Sequence, residues 1–319
     1  MANVLGIIRN KASGIAGAVE LFINNVKQTR YKKCYITNEN IIGFEGKNGK
    51  VSSGWGGSTA HNTAWYDNGV YCVYQNKLYK YYPSSDTWSK IYEGGNSLVG
   101  GCMASLNGTL YYFGPSSYSE YICKWKGSSW DHFYLSASNS ISYGCPTKHN
   151  GYLYIYNGYG LWRFNGSSIT NVSGVAYSSS TGSCIVSFNN EIHLLGGSST
   201  TSGTYHYAWN GSSWRSVSTI PFIFYRGIAE VINNKIVIMG SNYTDTTSNR
   251  TSNLIGIWDG ISWKTARMPY KMEEGSSCVD ANGDVYIKGG TEHSGSTTYY
   301  HPEYFGKAFG KISYRLSNS

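Results

Sequence analysis

An asparagine-led turn followed by a short apolar strand recurs six times in this chain. The copies start at Asn68-Gly69, Asn107-Gly108, Asn150-Gly151, Asn189-Asn190, Asn233-Asn234 and Asn282-Gly283. Successive starts lie 39, 43, 39, 44 and 49 residues apart. Each turn leads into a run such as Val70-Tyr71-Cys72-Val73, Leu110-Tyr111-Tyr112-Phe113 or Ile236-Val237-Ile238-Met239. Runs this short, rich in β-branched and aromatic residues, read as buried strands. Asn-Gly and Asn-Asn tolerate the positive φ that a tight hairpin requires. A period near 40 residues holds four short strands and their turns. Repetition of such a unit predicts an array of similar sheets closed into a propeller.

Later parts of each copy repeat as well. A third strand, for example Ile122 to Trp125 or Tyr205 to Trp209, precedes a second turn of nearly constant wording. That turn reads Lys126-Gly127-Ser128-Ser129-Trp130, Asn165-Gly166-Ser167-Ser168-Ile169, Asn210-Gly211-Ser212-Ser213-Trp214 and Asp259-Gly260-Ile261-Ser262-Trp263. Four apolar residues, a glycine pair as at Gly196-Gly197, then spaced Tyr and Trp, resemble the kelch repeat over roughly residues 60–319. The resemblance implies an all-β, six-bladed kelch-like β-propeller. It implies little about activity, because one fold hosts many functions.

Residues 1–30 stand outside the repeat. Ile15, Val19, Phe22 and Val26 fall at helical spacing and predict a short amphipathic helix, an assembly arm that attaches the propeller to other particle proteins. The stretch is too short and interrupted to span a membrane. Residues 31–319 then form the propeller, with strands in 33–45 completing the C-terminal blade and so removing a free sheet edge.

Of the seven cysteines four follow the repeat: Cys102, Cys145 and Cys184 each stand five residues before a turn, and Cys278 four. Equivalent positions on different blades do not approach within disulfide reach, so these read as small buried hydrophobes, with no metal signature. The seven histidines lack metal-ligand spacing, and His193 falls in a buried strand. No nucleophile elbow, phosphate loop or dinucleotide fingerprint stands in context. Glu273-Glu274 is the one acidic pair beside an inner strand, but adjacent carboxylates diverge rather than flank one bond. No catalytic residue, cofactor or metal is expected.

A net charge of +8 is spread along the chain without the dense basic stripe of a nucleic-acid binder. It still favours an anionic surface such as a bacterial envelope polymer. Aromatic residues make up 16% and charged residues only 14%, and a Ser/Thr/Asn/Gly/Tyr-rich surface is associated with extracellular and particle-borne β-proteins. Propellers bind at the axial mouth, where loops lead into the inner strands. The residues expected there are Trp65, Tyr66, Tyr143, Tyr225, Arg226 and Glu274, a set of rings and hydrogen-bonding groups suited to sugars. The expected role is attachment: a receptor-binding or structural component of a phage tail or tail-like particle, with a bacterial surface glycan or receptor as partner. The alternatives are a cytoplasmic kelch-type adaptor for a protein partner and a carbohydrate-active enzyme.

Overall fold

The computed structural model describes residues 62–309 apart from 75, 95–97, 99, 115–120, 135–140, 142–143, 175, 177–181, 199, 244–248, 268–270, 289–290, 295–296 and 301–304. Ahead of these it describes the strand segments β1 (Phe22–Ile23), β2 (Val26–Lys27), β3 (Tyr35–Ile36) and β4 (Gly43–Gly46). Among the described residues no helix is long and apolar enough to cross a membrane.

Five four-stranded antiparallel sheets follow in chain order. Blade 1 is β5 (Thr63–Tyr66), β6 (Gly69–Tyr74), β7 (Lys77–Tyr82) and β8 (Thr87–Glu93). Blade 2 is β9 (Cys102–Leu106), β10 (Thr109–Phe113), β11 (Tyr121–Trp125) and β12 (Trp130–Tyr134). Blade 3 is β13 (Cys145–His149), β14 (Tyr152–Tyr156), β15 (Leu161–Phe164) and β16 (Ile169–Ser173). Blade 4 is β17 (Cys184–Phe188), β18 (Glu191–Leu195), β19 (Tyr205–Trp209) and β20 (Trp214–Thr219). Blade 5 is β21 (Ile228–Ile232), β22 (Lys235–Tyr243), β23 (Asn249–Trp258) and β24 (Trp263–Arg267). β22 and β23 continue their pairing beyond Met239 and Ile255, with Ser241 opposite Ser252 and Tyr243 opposite Asn249.

The regular blades number five, not the expected six. Material from the sixth repeat enters a five-stranded sheet instead: β25 (Ser276–Val279), β26 (Val285–Lys288), then β29 (Phe305–Phe309), β4 and β3. Between β26 and β29 the chain makes a separate hairpin of β27 (Thr291–Ser294) and β28 (Thr297–Tyr300). After β26 the chain therefore supplies one further strand to this sheet, and β4 pairs antiparallel with β29 from Gly43↔Phe309 to Gly46↔Gly306. Inner strands neighbour one another in the order β5, β9, β13, β17, β21, β25 and back to β5, so this closing sheet fills the gap between blades 5 and 1.

The predicted N-terminal helix is not found where the structure describes it. Ile23 pairs with Val26 and Phe22 with Lys27, making a small hairpin. Paired in this register, these four residues are extended strand, which excludes a helix through Phe22 and Val26. The rest of the predicted arm lies outside the described residues.

Turn chemistry explains the regularity. Asn107, Asn150, Asn189, Asn190, Asn233 and Asn234 all adopt positive φ between 47° and 62°. In blade 1 the turning pair is Asp67 and Asn68, one residue earlier than the sequence suggested, and Gly69 already belongs to β6. The sixth turn is built differently. The Asp280 carboxylate accepts the backbone N–H of Asn282 at 2.8 Å and of Asp284 at 2.9 Å. In the second hairpins the leading side chain plays the same part: Asn210 Oδ1 accepts from the N–H of Ser212 and Ser213, both at 3.0 Å. Three of the second turns close on an aromatic pair, Trp125 opposite Trp130, Trp209 opposite Trp214, and Trp258 opposite Trp263, whereas in blade 3 Phe164 stands opposite Ile169.

The second strand of each blade is buried on both faces, because it packs between neighbouring sheets. The outer strands β8, β16 and β20 are largely polar and exposed. The hydrophobic core therefore runs between sheets, and the inner strands carry short polar residues where little space remains.

Candidate functional site: the axial channel

Every junction between successive sheets carries a hydrogen bond between inner-strand residues or the residue just ahead of one. Ser105 Oγ of blade 2 donates to the Trp65 carbonyl of blade 1 at 2.8 Å. Lys148 Nζ of blade 3 donates to Ser105 Oγ at 3.1 Å. His149 Nδ1 meets Ser187 Oγ of blade 4 at 2.8 Å. The Cys184 thiol donates to the carbonyl of Gly227, one residue before blade 5, at 3.3 Å. Ser277 Oγ of the closing sheet donates to Glu230 Oε1 of blade 5 at 2.7 Å. Thr63 and Ser276 complete the circuit through their hydroxyls at 2.7 Å. Cys145 joins in, its sulfur accepting from Ile185 N–H at 3.3 Å. The six described cysteines are buried and in no disulfide, and the regular spacing of the four in inner strands, Cys102, Cys145, Cys184 and Cys278, reflects packing near the axis.

These strands enclose a cavity of about 280 Å³ on the propeller axis. Trp65, Ser105, Thr147, Lys148, Ser187, Glu230 and Ser277 line it beside apolar residues such as Met103, Ile185 and Val231. The Lys148 side chain is open to solvent within this channel. Surrounding protein nevertheless draws its pKa below the usual lysine range, with the Cys278 thiol acting in the opposite sense. Among the described residues no carboxylate pairs with Lys148, and its one hydrogen-bond partner is Ser105. Burial lowers the pKa of His149, which keeps that imidazole neutral near pH 7. The channel thus offers hydroxyls, one cation, one carboxylate and an indole within a small volume.

The six residues expected to share one mouth do not all meet. Tyr225, Arg226 and Glu274 come together on the face where loops lead into the inner strands. The Arg226 guanidinium lies 5.0 Å from the Tyr225 ring centre, and Arg226 Nη1 reaches Glu274 Oε1 at 2.8 Å. Their backbones are laced together: Glu274 N–H donates to the Arg226 carbonyl at 2.7 Å, and Arg226 N–H to the Gly182 carbonyl at 2.9 Å. Trp65 and Tyr66 instead sit at the far end of β5, beside the asparagine-type turn. A strand advances roughly 3.3 Å per residue, so residues that follow the loop by several positions arrive near the opposite face. Trp65 stacks on Tyr286 with ring centres 5.8 Å apart, and Tyr66 packs edge-on against Tyr71 at 5.2 Å. Tyr143 lies outside the described residues.

Of the channel residues, sequence reasoning named Trp65 and missed the others. A signal was present: Ser105, Lys148 and Ser187 each stand two residues before an asparagine turn, a polar residue in the strands CMASL, CPTKH and CIVSF. Glu230, three before its turn, interrupts IAEVI in the same way.

No protein-family model matches the sequence, and no curated protein matches it. Among solved structures, one titled "Structure of YjhT" superposes with a TM-score of 0.62 at 14% identity, covering 79% of this chain and 96% of that one. At that identity the likeness concerns the fold. The sheet order, the ring of inner strands and this neighbour together make the chain an all-β protein of the β-propeller fold.

Proposed function

We propose that the chain is a binding protein whose ligand is a surface carbohydrate, held in the axial channel. We further propose that it acts in attachment, as a receptor-binding or structural component of a phage tail or tail-like particle, and not as an enzyme. The observation that carries the ligand class is the channel lining. Sugars need hydrogen-bond donors and acceptors together with an apolar or aromatic surface for their CH faces. Ser105, Ser187 and Ser277 supply the first, and Trp65 the second. The sparsely charged composition, rich in Tyr, Ser and Gly, supports exposure on a particle.

In this reading the repeats are kelch-like. The glycine pair at Gly196 and Gly197 supports that reading, since both residues adopt positive φ, at 59° and 102°. A Cβ on Gly196 would lie 2.0 Å from the Phe224 carbonyl oxygen, so the doublet is required where blade 4 meets the next loop. Residues 1–30 are proposed as the docking arm for other particle proteins.

The test is the purified chain on an array of bacterial surface glycans, with parallel analysis of the sugars for cleavage. Retention of a glycan without turnover, weakened by Ser105→Ala or Ser187→Ala, is the expected result. Released products would move the protein to the enzymes, and an array that captures nothing would sink the carbohydrate reading.

A further inference from the structure

The channel holds one feature that neutral sugar binding leaves unexplained. Lys148 of β13 lines the channel, exposed to solvent, with a serine hydroxyl as its one hydrogen-bond partner and no carboxylate paired to it among the described residues. Lys80, a buried lysine elsewhere in the blades, is neutralised by Asp67 at 2.6 Å. Solvent reaches the Lys148 ammonium, and a ligand that displaces this water from the channel must compensate the charge. A bound anion would do so, through a charge-assisted hydrogen bond that is about twice as strong as a neutral one.

The opposite wall constrains what that anion is. Glu230 comes from β21, two blades away, and Ser277 occupies its Oε1. A carboxylate there repels a bare multivalent ion, yet accepts hydroxyl protons well. A volume of about 280 Å³ has room for several waters, and so for one small polyol.

We propose that the axial channel selects a small hydroxyl-bearing anion, with its anionic group on Lys148 and Ser105 and its hydroxyls directed to Glu230, Ser187 and Ser277. The inference rests on the carbohydrate reading above and narrows it to acidic ligands. Such a group occurs as the carboxylate of a sugar acid or as the phosphate of a phosphorylated polyol, and both present the same chemistry to Lys148.

Calorimetric titration of the full chain with glucuronate, glycerol 1-phosphate and glucose tests this. At least one of the two anions is expected to bind ten-fold or more tightly than glucose, and the tighter of the two identifies the source of the charge. Lys148→Met is expected to abolish that preference and Lys148→Arg to retain it, with unchanged melting temperatures showing that both variants fold. An anion preference that survives Lys148→Met overturns the inference. Equal binding of glucose and the anions overturns it too, while leaving carbohydrate binding intact. If none of the three binds although the array captures a glycan, the acidic channel is again overturned. A blank array overturns the reading on which it rests.

Discussion

Arg226 and Glu274 adopt the same left-handed backbone conformation, at φ 59° and 54°, on successive sheets, and their side chains join at 2.8 Å. Each stands two residues before its inner strand, as Gly100 does, with φ 82°, ahead of β9. Two positions at which glycine is the unstrained choice therefore carry an ion pair instead. The left-handed region costs a side-chain-bearing residue about 1–2 kcal/mol.

This arrangement predicts an unusual order of stabilities. Arg226→Gly and Glu274→Gly should each be more stable than the corresponding alanine variant by about 1 kcal/mol, since glycine relieves the backbone while both lose the ion pair. A double-mutant cycle on the alanine variants should return a coupling of about 1 kcal/mol or less, because the pair is partly exposed. Denaturant melts measure both. Alanine variants as stable as the glycine ones would show that the backbone is not strained.

Gly182 makes room for this cluster. A Cβ there would lie 2.5 Å from the Tyr225 ring and 3.1 Å from Arg226 Cγ. Gly182→Ala should therefore cost about 1–3 kcal/mol by overpacking. Adding Tyr225→Ala should restore most of it. The reading fails if thermal unfolding shows the single and double variants equally destabilised.

Buried histidines predict an acid-sensitive junction between blades 4 and 5. His193 Nδ1 and His206 Nε2 are 2.7 Å apart, and the His206 ring meets Trp258 and Trp263 edge-on at 5.2 and 5.5 Å. Burial pushes the pKa of His193 down to about 4 and that of His206 to about 3, with the Arg215 charge adding to the shift in both and Glu191 opposing it at His193. Below pH 6.5 the unfolded chain takes up protons that the folded pair refuses, so stability falls as pH drops from 6.5 toward 4. The His193 shift corresponds to about 3 kcal/mol over that window. Replacing both residues by Phe should flatten the stability profile relative to the parent between pH 6.5 and 4. An identical acid slope in the double variant would refute this origin.

Thiol chemistry should divide sharply between native and unfolded states. Burial raises the Cys72 pKa to about 11 and that of Cys123 to about 12, and all six described cysteines are inaccessible. Reaction with a disulfide reagent at pH 8 should modify at most one thiol in the folded protein and seven after denaturation, the exception being Cys34, outside the described residues. Rapid native modification of Cys102, Cys145 or Cys184, located by mass spectrometry, would contradict the packing at the axis.

Features set by neighbouring residues were legible in the sequence, and features set by ring geometry were not. Asn150-Gly151 and Asn189-Asn190 announce hairpins because asparagine and glycine tolerate positive φ wherever they stand. Ile15, Val19, Phe22 and Val26 match a helical period, yet Phe22 and Val26 lie in paired strands, because a period alone does not fix the partner. Trp65 was grouped with Tyr225 because both flank an inner strand, although the direction of β5 carries it toward the other face. Lys148 passed unnoticed as one polar residue in a short strand.

By itself, then, the amino-acid order determined the hairpins, the buried second strands and the tryptophan pairs that close three of the outer turns. All of these depend on contacts a few residues apart. Tertiary structure alone decided that Lys148 meets Ser105, that Glu230 meets Ser277, and that β4 pairs with β29. Those partners lie from about 40 to more than 260 residues apart in the chain. They meet because sheets placed side by side must close on one axis, where side chains from separate repeats share a single channel.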